Sequence, residues 1–87
     1  MRSGEELIVP VYVDDAYIPF GRMKMCHMIA DTEEELHEMA ARIGLKREWF
    51  QDTSRPHYDV SKSRRKLATE NGAVEITTEE LVIRLRE

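Results

Sequence analysis

The chain has 87 residues, of which 41% are hydrophobic and 34% are charged, and these values predict one small soluble domain over residues 1–87. Its formal net charge of −4 argues against a protein that wraps a nucleic-acid duplex, which needs a broadly basic surface. There is no apolar run of about 18 residues, no apolar leader at the start and only one cysteine, Cys26, so we expect a cytoplasmic protein without a membrane span, disulfides or a multi-cysteine zinc site.

The N-terminal half predicts two strands separated by a loop. Residues 1–5 are expected to be a frayed end, and residues 7–14 alternate in the manner of a strand. Pro10 places that strand at an edge or makes it start late. Pro19 and Gly21 mark residues 16–22 as a turn or loop. Residues 24–30 are apolar on both faces, which is typical of a central strand covered on both sides.

A helix follows this central strand. Asp31 or Thr32 is its expected cap, because each is followed three residues later by a glutamate. Gly44 is well placed to end it. Its buried stripe is predicted from the spacing of Leu36, Met39, Ala40 and Ile43.

The C-terminal half predicts two more strands and two more helices. A third strand is expected from the bulky run Trp49-Phe50-Gln51, and the residues after it form an irregular polar loop. In chain order the predictions are a strand at 45–51, a loop at 52–59, a helix from Asp59 or Ser61 to Gly72, a strand at 73–76, and a helix capped by Thr77 or Thr78.

The resulting order, β-β-α-β-α-β-α, predicts a small single-domain α/β fold with a mainly parallel sheet and helices packed on it. Ligands of such sheets bind beyond the C-terminal ends of the strands. We therefore expect Asp31, the loop 52–59 and the start of the second helix to meet on one face. Asp14 and Asp15 join them only if the first strand is also parallel.

Residues 55–66 are strongly basic although the chain is acidic. They contain one acid, Asp59, and five bases: Arg55, Lys62, Arg64, Arg65 and Lys66. Lysine and arginine side chains near the free N–H groups of a helix start favour a phosphate-bearing anion. The alternative is a solvated basic helix face, above all for Arg64 and Lys66.

The triplet His57-Tyr58-Asp59 carries the chemistry that the sequence suggests most clearly. His57 has an unperturbed pKa of about 6.5, which suits either a general acid/base or a metal ligand. Asp59 either orients His57 or caps the helix, and an exposed loop histidine beside a capping aspartate is the alternative. Tyr58 offers a surface on which a base can stack. His27, among apolar residues, is most simply a satisfied core histidine.

Two acids, Asp14 and Asp15, close the predicted first strand. Paired carboxylates supply the hard oxygen ligands of a divalent cation. Adjacent strand residues point to opposite faces, so the pair is a weak metal signal by itself. Cys26 lies between Met25 and His27, where a buried structural thiol is a simpler interpretation than a nucleophile.

The combined pattern resembles an uncharacterised family of phage and bacterial proteins, the domain-of-unknown-function family numbered 4031. The resemblance covers residues 11–76 and rests on Val11–Asp15, Gly21–Met23, Met25–Asp31, Glu35–His37, Ile43-Gly44, Trp49–Gln51, His57–Asp59, Lys66–Ala68 and Gly72–Glu75. It implies no activity. Its polar members are Asp14, Asp15, Arg22, His27, Asp31, His37, His57 and Asp59, and this set is more typical of a site than of a scaffold. Phage membership suggests nucleotide metabolism or counter-defence by association.

The leading functional hypothesis is a protein that binds a phosphate-containing nucleotide and hydrolyses a phosphoester bond. Its expected residues are His57, His27 and Asp59 for catalysis, Arg22, Asp31, Tyr58, Lys62 and Arg65 for the ligand, and Asp14 and Asp15 for a divalent metal ion.

Two alternatives are not catalytic. One is a homo-oligomeric sponge that sequesters a nucleotide signal in the host cytoplasm, since so small a core gains stability from a partner. The other is a protein-interaction module that docks through its acidic first helix or its last helix. Turnover of a ligand separates the hydrolase from the sponge, and a charge reversal of the basic helix that leaves function intact favours the interaction module.

Overall fold

The computed structural model describes residues 10–86. Its elements in chain order are β1 (Val11–Val13), β2 (Ile18–Phe20), β3 (Met23–Ala30), α1 (Glu33–Arg42), a 3₁₀ helix (Arg47–Trp49), β4 (Tyr58–Ser61), α2 (Lys62–Glu70), β5 (Val74–Glu75) and α3 (Thr78–Arg86). The predicted frayed end at 1–5 and the predicted strand start at Leu7 lie outside the described residues. Within residues 10–86, no helix combines the length and the apolar character that a membrane crossing requires.

The sheet is mixed, so the prediction of a mainly parallel sheet is wrong. β3 is central: β1 and β2 pair with it along one side and β4 along the other, all antiparallel. Among the described strands, only β1 and β5 pair in parallel. The long segment 43–57 after α1 returns the chain to the end at which β3 finished, and β4 therefore runs against β3.

Two predicted loops contain strands. Ile18–Phe20 forms β2 inside the predicted turn 16–22, and Gly21 closes the β2–β3 hairpin with a φ of 61°, which a two-residue hairpin turn favours. β4 begins at Tyr58, inside the predicted loop 52–59. Tyr58 and Val60 are both fully buried, so their alternation is the strand signal in this stretch.

The predicted third strand at 45–51 is wrong. Arg47–Trp49 is a 3₁₀ helix, and the predicted strand retains only an isolated bridge from Gln51 to His57. Trp49 is 44% exposed and lies near two cations, with the Lys46 Nζ 5.6 Å from its ring centroid. The bulky run therefore lies at the surface and does not supply a sheet face.

The helix starts follow the predicted capping patterns. Thr32 caps α1 by accepting from the Glu35 N–H at 3.2 Å, and Ser61 caps α2 by accepting from the Arg64 N–H at 3.3 Å. Thr77 and Glu80 form a reciprocal capping box at the start of α3. The sequence offered two candidate caps for each of these helices. Thr32, not Asp31, caps α1, and Ser61, not Asp59, caps α2. Asp31 and Asp59 therefore remain available for other contacts.

The main core lies between one face of the sheet and the helices α1 and α2. Its fully buried members include Val13, Cys26, Met28, Leu36, Tyr58 and Val60. A smaller cluster on the opposite face joins Tyr12 and Ile29 to Leu81 of α3. α3 covers Ile29 on this side, but no helix of residues 10–86 covers Met25 and His27 of β3 or Asp59 of β4, and we call the surface formed by these three residues the open face.

Candidate metal centre

Two histidines and an aspartate meet on the open face. His27 of β3 lies directly opposite Asp59 of β4, and the neighbouring pair Cys26–Val60 points into the core. Because successive strand residues alternate between faces, the pair His27–Asp59 projects outward. His57, two residues before Asp59, shares that face, and its ring centroid lies 5.5 Å from the His27 ring centroid.

The three side chains have the spacing of metal ligands. Each of His27, His57 and Asp59 offers one ligand atom, and these atoms all lie within 4.8 Å of one another. The histidines are half-buried and the aspartate is exposed. Two imidazoles with one carboxylate suit a first-row divalent ion such as Zn²⁺, and three protein ligands leave a coordination position open.

Both imidazoles of the cluster are held through Nδ1. The Nδ1 of His27 lies 2.8 Å from the Asp14 Oδ2, and the Nδ1 of His57 lies 2.8 Å from the Arg55 carbonyl oxygen. Since a carboxylate and a carbonyl only accept, each Nδ1 carries a proton, and in the neutral imidazole each Nε2 has the lone pair that a metal ion would take. The His57 Nε2 already lies 3.4 Å from the Asp59 Oδ1. Histidines that bind metal ions usually donate their other ring N–H to a carboxylate or a backbone carbonyl in this way, which fixes the orientation of the ring.

Asp14 is the buried support of His27. Its side chain is fully buried and accepts from the His27 backbone N–H at 2.7 Å as well as from the ring. The Ala16 N–H also donates to it at 3.3 Å, and the Thr78 hydroxyl, whose one proton is shared between Asp14 and Asp15, lies 3.3 Å away. Burial alone would raise the pKa of Asp14, but the hydrogen bonds from the His27 ring and backbone outweigh it and lower that pKa.

The same pair raises the pKa of His27. The hydrogen bond to Asp14 is the main cause, burial opposes it, and the charges of Asp14 and Asp59 add to the increase. In the metal-free protein His27 therefore holds a proton more readily than a free histidine. A bound cation would replace that proton as the positive charge between these carboxylates.

We expect the Asp14–His27 pair to stabilise the metal-free protein most between about pH 4 and pH 6.5. The lowered pKa of Asp14 adds stability that is lost as the pH falls through its folded value. The raised pKa of His27 adds stability that is lost as the pH rises through its folded value. Urea unfolding of chelator-treated protein from pH 3 to pH 9 measures this, and the His27→Gln variant should lose the decline on the alkaline side. An equal decline in both proteins would contradict it.

The predicted metal pair Asp14–Asp15 separates in the structure. Asp14 lies behind His27, whereas the Asp15 Oδ1 accepts from the backbone N–H and the hydroxyl of Thr78 at 2.9 and 3.2 Å. Asp15 thus holds the start of α3. Thr78 contacts both acids, a role that no local sequence pattern indicates because the two segments are far apart in the chain.

A basic cleft of about 700 Å³ lies between the β2–β3 turn and α2. Its basic lining residues are Arg22, Lys24, Lys62, Arg65 and Lys66. Arg65 is 9% exposed; its Nε donates to the Asp14 carbonyl at 2.6 Å and its Nη1 lies 3.2 Å from Glu75. The other four form no ion pair with an acid of residues 10–86.

Asp31 and Tyr58, both predicted to bind the ligand, line neither the basic cleft nor the cavity in front of His27 and Asp59. Asp31 follows the end of β3, whereas α2 starts beside Met25, six residues and about 20 Å back along the strand. The predicted meeting of Asp31 with the start of the second helix is therefore wrong, because β3 and β4 are antiparallel. Tyr58 is fully buried in the core, and burial raises its pKa.

His37 has a different environment from the cluster histidines. Its Nε2 lies 3.2 Å from Glu33, which only accepts, so its Nδ1 accepts from the Tyr58 hydroxyl at 2.8 Å. With both nitrogens occupied, His37 has no lone pair for a metal ion. It therefore provides a control for substitutions of His27 and His57.

The comparisons with known proteins leave the activity open. A family model described as "Protein of unknown function (DUF4031)" matches residues 11–87, nearly the whole chain. Neither the curated proteins nor the solved structures contain a match.

Proposed function

Since this chain belongs to the DUF4031 family of proteins of unknown function, we propose from its own site that it is a metal-dependent hydrolase of phosphoester bonds in small nucleotide-like anions. The observation that carries the proposal is the cluster of His27, His57 and Asp59, with both imidazoles held through Nδ1. A divalent ion bound there would polarise a phosphoryl oxygen and lower the pKa of a bound water.

The neighbouring cations favour phosphate as the group acted on. Asp59 and Ser61 are two residues apart on β4, about 7 Å, and α2 with Lys62 begins immediately afterwards. Arg22 of the β2–β3 turn and Lys24 of β3 line the same cleft. Lys24 alternates with Met25 and His27 on β3, and α2 packs on the main-core face, so these cations lie across the sheet from the cluster. Only an extended ligand that passes the end of β4 at Ser61 places one phosphate at the cluster and presents further negative charge to them. Asp31 has no part in this version of the site.

A non-catalytic sponge for a nucleotide signal is the second candidate. It is favoured by the separation of the basic cleft from the cavity in front of His27 and Asp59, because the two share no lining residue. An anion can therefore occupy the cleft without meeting the metal cluster. In this version the protein acts in the cytoplasm by holding its ligand, and the cluster has a structural role.

Turnover by metal-loaded protein tests the proposal. Chelator-treated protein is reloaded with Zn²⁺ or Mn²⁺ and assayed with bis(p-nitrophenyl) phosphate and with a dinucleotide. We expect phosphodiester cleavage by the parent and by His37→Gln, and a loss of at least about 100-fold in His57→Ala, which removes a metal ligand. Equal rates in His57→Ala and the parent would overturn the proposal. Tight binding of the dinucleotide by metal-loaded parent without cleavage would favour the sponge.

A further inference from the structure

The β2–β3 hairpin exposes three large apolar side chains beside the metal cluster. Ile18 is 50% exposed, Phe20 66% and Met23 47%. Neither Ile18 nor Phe20 belongs to either buried cluster of residues 10–86. A contiguous exposed apolar patch usually marks a binding surface.

The strand register places this surface and the cluster on one face. Ile18 pairs with Met25 and Phe20 pairs with Met23, while His27 lies two residues beyond Met25 on β3. Paired residues point to the same side, and so do residues two apart along a strand. The apolar surface of β2 therefore continues along β3 to His27.

One cavity joins the two parts. It has a volume of about 180 Å³ and is lined by Ile18, Pro19, Phe20, Met25, His27 and Asp59. Cavities that hold a whole small-molecule ligand usually measure about 300–1,000 Å³. This cavity therefore fits one part of a nucleotide-sized molecule, and its walls are apolar except on the side of the cluster.

The edge of the hairpin is poorly suited to a second copy of the chain. β2 is an edge strand of three residues, and its middle residue is Pro19, which has no N–H to donate to a further strand. Strand pairing across this edge is thus restricted. The face beside it, with an aromatic ring and two methionines, suits a planar group that packs on it.

We propose that this hairpin surface is the nucleobase subsite of the ligand, with the base stacked on Phe20 and the phosphate directed to the cluster. The inference rests on the proposed function and adds the class of ligand: phosphates that carry a planar ring. Stacking on an aromatic side chain depends little on which base is present, because every base has a π-face. The subsite therefore selects nucleotides over sugar phosphates without selecting one base.

The test compares two phosphates that differ only in the base. Isothermal titration measures the binding of adenosine monophosphate and of ribose 5-phosphate to Zn²⁺-loaded protein. We expect the parent to bind adenosine monophosphate about 10-fold more tightly. Phe20→Ser should abolish that preference and Phe20→Trp should keep it. The control Ile83→Ser, which alters a 52% exposed residue of α3, should also keep it.

Several outcomes would overturn the subsite. These are equal affinities in the parent, no binding of either phosphate, a preference that survives Phe20→Ser, and a dimer in sedimentation that Phe20→Ser converts to a monomer. The last outcome would mean that a second copy covers the hairpin. A base preference lost in Phe20→Ser, together with no phosphodiester cleavage by any metal-loaded protein, would support the subsite and reject the hydrolase.

Discussion

The Asp14→Asn variant is expected to bind Zn²⁺ about 10- to 100-fold more weakly than the parent, which is the usual cost of losing the group behind a metal-ligating histidine. The cause is the position of a proton. Asp14 accepts from the His27 Nδ1 at 2.8 Å and so leaves the His27 Nε2 free. An asparagine amide that donates to Nδ1 would move the proton to Nε2, where it blocks the metal.

The remaining contacts of Asp14 allow this substitution without loss of the fold. The amide oxygen of an asparagine can still accept from the backbone N–H groups of His27 and Ala16, and its nitrogen can donate to the Thr78 hydroxyl. The free energy of unfolding of the metal-free variant should therefore fall much less than in Asp14→Ala, which leaves those donors without a partner.

Competition with a chromogenic chelator measures the Zn²⁺ affinity, and urea unfolding measures stability. The matched control is Asp15→Asn, which alters the adjacent acid that holds the start of α3. Asp15→Asn should keep the Zn²⁺ affinity of the parent. Equal Zn²⁺ affinity in Asp14→Asn and the parent would mean that His27 does not ligate through Nε2.

The second large effect is expected on stability. Arg65→Met should lower the free energy of unfolding by about 2 kcal/mol, since the Asp14 carbonyl loses a buried charged donor at 2.6 Å. Methionine keeps an apolar stem of similar reach, so the change isolates the polar contacts. The ion pair with Glu75 adds little, because the Glu75 side chain is 65% exposed.

Thermal unfolding checks this expectation. A loss of about 2 kcal/mol corresponds to a Tm about 10 °C lower in a domain of this size. Lys66→Met is the control, because Lys66 is the next residue of the same helix and is exposed. Its Tm should stay close to that of the parent. Equal Tm values for Arg65→Met and Lys66→Met would show that the buried guanidinium contributes no net stability.

Asp14 connects these two predictions because it links the core to the cluster. Its carboxylate holds His27, its carbonyl accepts from Arg65 of α2, and its backbone N–H donates to the His27 carbonyl at 3.0 Å. The orientation of a surface histidine thus depends on contacts that begin at a helix on the other side of the sheet. Arg65, predicted from sequence to bind the ligand, has this supporting role in the structure as well as a place in the cleft.

Local patterns predicted the elements whose cause is local. Thr32, Ser61 and the Thr77–Glu80 pair cap helices because the donors they satisfy lie three residues away. The central strand and the buried Cys26 follow from an apolar run, but the predicted cover on both faces of that strand is wrong, because Met25 and His27 lie on the open face. The family resemblance, which the match to residues 11–87 confirms, also rests on sequence alone.

Two secondary-structure predictions based on residue type were wrong, because tertiary packing determines the conformation at those positions. Trp49 belongs to a bulky run that is typical of a strand, yet its exposed ring lies beside Lys46 and Arg64 at the surface. The opposite error concerns Tyr58, whose polar neighbours suggested a loop. The alternation of Tyr58 with Val60 is too short a strand signal to predict β4 from sequence, and the strand forms because it pairs with β3.

Local patterns in the sequence therefore suffice for the three α-helices, for two candidate caps at each of them, for the central strand and for the ligand chemistry of His57 and Asp59. The interpretation of His27 as a core histidine is wrong, because its side chain lies in the cluster and is 29% exposed. The directions of β1 and β4 follow from the folded chain, because strands choose their pairing partners through contacts between segments far apart in sequence. Those directions bring His27 opposite Asp59 and Asp14 behind His27. A parallel arrangement of the same elements would separate these residues, so the metal cluster is a consequence of strand direction.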